Sequence, residues 1–185
     1  MLDLIKENQV NTTLWVCFEG KYFEGLTDND KLAKADTAVK YIYKRATDIG
    51  CDISLYNHGD WFGEPENQIR IIESLGLKDI GMVYNFHHAH HQIGRFQELI
   101  PKMLPYLTTI SINGMKKDGP QIIPVGQGDE ELEMLRVIKS SGYQGSIGIL
   151  GHVENADVAI VLQGNLDGLK ILLKEMGEEK ALATY

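Results

Sequence analysis

The chain has 185 residues, 43% of them hydrophobic and 24% charged, with a formal net charge of -8. That length and balance suit one globular domain with a sizeable core and exclude an intrinsically disordered chain. No Lys/Arg-rich run offsets the negative charge, so a phosphate backbone is repelled and no nucleic-acid partner is expected. Residues 1–8 mix charged and apolar side chains, unlike a signal peptide, and no apolar stretch reaches the length of a bilayer crossing. A cytoplasmic protein with no membrane partner is therefore expected. The two cysteines, Cys17 and Cys51, sit in apolar contexts without a CxxC motif and are expected as buried free thiols.

The first predicted strand is 12–18 (TTLWVCF). A helix follows over about 28–49, with Leu32, Ala35, Val39, Ile42, Ala46 and Ile49 on one face and Gly50 at its end. The second strand is 52–57 (DISLYN), followed by a helix with Pro65 in its first turn and Gly76 just past its end. The third is 80–86 (IGMVYNF). The helix after it carries Phe96, Ile100, Met103 and Leu107 at helical spacing, although Pro101 and Pro105 each remove an amide donor. The fourth strand is 108–113 (TTISIN), with a helix over about 129–141 closed by Gly142. The fifth is 146–150 (SIGIL), and a last helical region over about 158–176 is expected to break near Gly164.

Five strand-then-helix units in series imply a parallel α/β sheet with right-handed crossovers. Composition leaves two architectures open, an open doubly wound sheet and part of a (β/α)8 barrel. No GxGxxG follows the first strand, which weighs against the dinucleotide-binding version. Polar residues gather where the strands end: Glu19 after the first, Asn57, His58 and Asp60 after the second, Asn85 and His87, His88, His90 and His91 after the third, Asn113 and Lys116 after the fourth, His152 and Glu154 after the fifth. In a parallel α/β fold these ends share one rim, where barrel active sites are built.

The segments LYNHGDW (55–61), VYNFHHAH (83–90), ISINGM (110–115), PVGQGDEE (124–131) and GYQGSIGILGH (142–152) resemble the xylose-isomerase-like TIM barrel family of sugar-phosphate isomerases and epimerases. The resemblance covers nearly the whole chain. It implies one domain over 1–185, a partial (β/α)8 barrel whose five β/α units are strands four to eight, lacking the first three units. It also implies a carbohydrate isomerase or epimerase that works by proton abstraction, with one divalent ion (Mn, Zn or similar) held by Glu, Asp, His and Glu. Those four positions fall here on Tyr56, Asn85, Asn113 and a residue near Leu150, so all four ligands depart from the pattern. The two Glu residues of the pattern also move the proton. Leu has no proton to exchange and an ordinary Tyr is a poor base at neutral pH.

Two readings remain open. In the first, His58, His88 and His152 form a rebuilt metal or acid/base set, since three neutral imidazoles suit a divalent metal and leave an open position. Lys116 then joins the proton transfer, and Asn57, Asn85, Asn113, Trp61 and Tyr56 bind the sugar. In the second, the chain is a non-catalytic sugar-binding or degenerate barrel. The run from His87 to His91 cannot act as one site if side chains alternate there; His88 and His90 would face one way and His87 and His91 the other. Asp129, before the fourth helix, is expected to cap it. An open part-barrel exposes strand edges, so a homodimer that covers them is expected.

Overall fold

The computed structural model describes residues 1–77 and 79–184. Five strands form one parallel sheet in chain order: β1 (Thr13–Val16), β2 (Asp52–Tyr56), β3 (Gly81–Asn85), β4 (Leu107–Ile112) and β5 (Ser146–Ile149). The helices are α1 (Leu2–Glu7), α2 (Asp28–Thr47), α3 (Pro65–Leu75), α4 (Phe96–Met103), α5 (Glu131–Ser140), α6 (Val158–Glu175) and α7 (Glu179–Leu182). At least one helix stands between each pair of successive strands, as parallel pairing requires. Every strand lies within two residues of its expected place.

The chain divides into two compact units, and the first comprises Met1–Tyr84 and Pro105–Thr108. In it β1 pairs with β2, Thr13 opposite Asp52, and β2 with β3, Ser54 opposite Gly81. Thr27 starts α2 by accepting the Asp30 amide on its hydroxyl at 3.3 Å, with Asp28 and Asp30 in the first turn suiting the helix dipole. Ala35, Val39 and Ala46 of the predicted face are buried. Pro65 opens α3 and Gly76 closes it at φ 63°. Both cysteines are free, but only Cys51 is buried. Val16 takes the core side at the end of β1, so its neighbour Cys17 turns outward, contrary to the sequence expectation.

The second unit comprises Asn85–Leu104 and the chain from Thr109 onward. Here β4 pairs with β5, Thr109 opposite Ser146 through Ile112 opposite Ile149. A 3-10 helix over His87–Arg95 leads into α4. Pro101 stays inside α4 because Phe96, Leu99, Ile100 and Met103 are buried along one side. Leu107, expected on that face, instead begins β4, after Pro105 has removed the amide a longer helix would need.

Two further expectations are corrected in this unit. Asp129 does not cap α5. Glu130 occupies the cap position without a side-chain bond, and the carboxylate of Glu131 takes the loop amides instead, from Gly128 at 2.9 Å and from Gly126 and Glu130 at 3.2 Å each. The last helix does not break at Gly164. A glycine there costs about 1 kcal/mol, which is small beside an Asp157 cap that accepts the Ala159 amide at 2.8 Å and the burial of Asn165, Leu169 and Leu172. Asn165 ties α6 to the segment after β4: its Oδ1 accepts the Val125 amide at 3.0 Å while its Nδ2 donates to the Val161 carbonyl. Gly168 permits the approach, since a Cβ there would stand 1.6 Å from the Val125 carbonyl oxygen.

Candidate functional site

In the second unit β3 ends on Asn85, which is buried, and its Oδ1 accepts the His87 amide at 3.0 Å. This local turn carries the chain off the strand and into the 3-10 helix. Three residues per turn replace the strand's alternation of faces, so the parity expected for the histidine run does not hold. The rings of His87 and His88 lie 4.6 Å apart, and the ring of His152, beyond β5, lies 6.4 Å from His87. His88 and His152, selected from the sequence, therefore both approach His87, which was not. The missed signal is the Asn two residues before it, a turn former at a strand end. His90 points elsewhere and donates through Nε2 to the Lys116 carbonyl at 2.6 Å.

Asn113 follows β4 and is fully buried. Its Nδ2 donates to the carbonyls of Gly114 and Gln121, both at 2.8 Å, which fixes the amide plane. Its Oδ1 is buried with no hydrogen-bond partner among the described residues. An unsatisfied buried acceptor is costly and marks a place for a water or a ligand hydroxyl. The Lys116 side chain is exposed.

In the first unit Tyr56 ends β2, with its ring stacked on His58 at 6.0 Å and 5.4 Å from Trp15. Asn57 is buried and donates its amide to the Val83 carbonyl, while His58 is exposed. Trp61 stands in a separate pocket of about 450 Å³ with Phe18, Phe23 and Phe62. Its indole N–H donates to Asp28 at 2.7 Å, and Arg70 holds the other oxygen of that carboxylate at 2.8 Å. The hydrogen bond from Arg70, then that from Trp61, holds the Asp28 carboxyl below the usual carboxylate range.

Among the described residues no group of three or more His, Cys, Asp or Glu is arranged to hold a metal ion. The positions that the family resemblance assigns to the ion carry a phenol (Tyr56), an amide engaged by a backbone N–H (Asn85), an amide pinned to two carbonyls (Asn113) and, near the last, an alkyl chain (Leu150). That donor set does not fit a resident divalent ion.

No protein-family model matches the sequence, and no curated protein matches it. Solved structures do. A D-tagatose 3-epimerase-like protein is 19% identical with a TM-score of 0.70, over 96% of this chain and 67% of its own. An L-ribulose 3-epimerase is 11% identical with a TM-score of 0.72, over 100% and 70%. An IolI protein with a bound zinc atom is 13% identical with a TM-score of 0.69, over 95% and 67%. The fold is that of the xylose isomerase-like TIM barrels. The chain carries five β/α units of it, spanning about two thirds of those neighbours. At these identities the likeness is one of fold, and function has to be argued from the residues at the strand ends. Within a xylose isomerase-like barrel the strand ends of this chain offer imidazoles, amides and a phenol. Such groups can bind hydroxyls and relay protons.

Proposed function

We propose that this chain acts on a small carbohydrate as an isomerase- or epimerase-type protein, moving a proton at the carbon beside a carbonyl. The observation that carries the reading is the contact of His87 with both His88 and His152 at the strand ends of the second unit. Imidazole is the side chain best suited to take up and release a proton near neutral pH. In the reaction the C–H bond breaks, its electron pair enters an enediolate with the neighbouring carbonyl, and the proton rests on an imidazole nitrogen. Return of a proton to the opposite face gives the epimer; return to the neighbouring carbon gives the isomer. Asn113 Oδ1 accepts a sugar hydroxyl and Asn85 shapes the turn that presents His87 and His88. Lys116 is exposed beside this loop and supplies a charged donor. In the first unit Tyr56 and His58, stacked at 6.0 Å, and buried Asn57 are further hydroxyl-binding groups.

The test is solvent exchange. Incubation with D-fructose or D-tagatose in D2O should place deuterium on the carbon beside the carbonyl faster than buffer does, read by NMR. His88→Ala should slow this about 100-fold. Sugar binding without exchange would favour the second reading, a non-catalytic sugar-binding barrel, which the Tyr56 and Leu150 positions support. A homodimer belongs to either reading. Strands β1 and β5 each have one strand neighbour, with Trp15 and Ile147 about half exposed on them. Sedimentation showing only monomer would exclude the dimer.

A further inference from the structure

The pocket around Trp61 lies wholly within the first unit and contains none of the imidazoles or strand-end amides. Its aromatic wall is closely packed. Phe62 and Phe23 are almost fully buried, and Phe18 meets them edge-on at 4.8 Å and 5.7 Å. The Phe23 ring lies 5.3 Å from Trp61, whose indole is fixed by the Asp28–Arg70 pair. Four charged side chains of balanced sign also line the pocket, Lys21 and Lys31 with Glu24 and Asp60. Gly20 makes the room for Asp60, because a Cβ at position 20 would stand 2.5 Å from its carboxylate oxygen.

We infer that this pocket is a second ligand site, and that it takes a neutral, closed-ring saccharide. The volume of about 450 Å³ falls in the range of small-molecule sites. The half-buried rings of Trp61 and Phe18, backed by buried Phe23 and Phe62, suit the apolar C–H face of a pyranose ring. A carboxylate accepts paired hydroxyls and ammonium groups donate to the ring and hydroxyl oxygens. The balanced charge disfavours phosphorylated or strongly cationic ligands relative to a neutral one. The site is independent of proton transfer in the second unit and stands whether or not that chemistry occurs.

The probe is methyl α-D-glucopyranoside, a glycoside locked against ring opening and so no substrate for proton transfer beside a carbonyl. With Trp15→Phe in the background, Trp61 is the remaining tryptophan reporter. Titration should change its emission saturably, with half-saturation at about millimolar probe. Asp60→Asn, which keeps the side-chain shape, should weaken binding about tenfold. Gly20→Ala should do the same by displacing Asp60. His88→Ala should leave the titration unchanged. Ligand-observed saturation-transfer NMR on the unmodified chain provides a second readout. A linear emission change matched by glycerol, absence of saturation transfer, or equal affinity in Asp60→Asn overturns the proposal.

Discussion

The carboxylate of Glu131 accepts the amide of Gly128 at 2.9 Å, and so closes the loop between β4 and α5 from the inside. The same side chain takes the amides of Gly126 and Glu130, and it is 2% exposed. One buried carboxylate thus accepts three amides of the loop that leads into α5. Glu131→Gln replaces one acceptor oxygen by an NH2 group that faces N–H donors. It should destabilise the protein by about 1–3 kcal/mol. Urea unfolding should show a lower midpoint and an unchanged slope.

The approach of α6 to the segment after β4 gives a sharper case. Gly168→Ala must drive a methyl group into the Val125 carbonyl, and backbone cannot give way as a flexible side chain can. The helix would have to lift, breaking the bond from the Val125 amide to Asn165 with it. A loss of about 3 kcal/mol or more is expected, at the upper end for single substitutions. Gly164→Ala, in open space on the same helix, should stabilise by up to about 1 kcal/mol. Thermal unfolding of the two variants should move in opposite directions.

Tyr143 sets an alkaline limit. Burial pushes its phenol up to about 12, partly opposed by a backbone hydrogen bond at Ile110, and its hydroxyl donates to the Ser146 carbonyl at 2.9 Å. A phenol whose folded pKa lies above its unfolded value near 10 favours the folded state below that value. The contribution should fade as pH rises from about 10 to about 12. The tyrosine titration followed at 295 nm should lose a late-titrating component in Tyr143→Phe, whose stability should fall less over that window.

Asp28 gives the acid counterpart. Its carboxyl is held below the usual range first by Arg70 and then by the Trp61 indole. A depressed folded pKa means that the contribution is present above the ordinary carboxylate value and is lost as pH falls through the lower one. Trp61 emission, in a Trp15→Phe background, should therefore hold steady through the ordinary carboxylate range and change only in stronger acid. Asp28→Asn should remove that step.

Much of the fold could be read from spacing. The Leu32-to-Ile49 face, Pro65 and Gly76 around α3, and the short apolar runs each placed an element to within a turn. These signals are local, and local physics decides them. The histidine run was misread because alternation was assumed past the end of β3, whereas the Asn85 side chain turns the backbone into a 3-10 helix. Asp129 looked like a cap because it precedes the helix. Glu131 reaches back from inside the helix, and the choice between them depends on a loop path that no periodicity reveals. Phe62 lines the aromatic pocket beside Trp61. Its pairing with Phe18 and Phe23 joins residues some forty positions apart and needed the sheet to form first.

Cys17 offers a practical handle. It is exposed while Cys51 is buried, so a thiol-directed dye should attach at one place, next to Phe18 at the edge of the aromatic pocket. Partial burial raises the thiol pKa, which keeps the thiolate scarce near neutrality and the coupling slow. Mildly alkaline conjugation should overcome that lag and yield a singly tagged protein, whose fluorophore would sense sugars arriving beside it without any tryptophan having to be replaced.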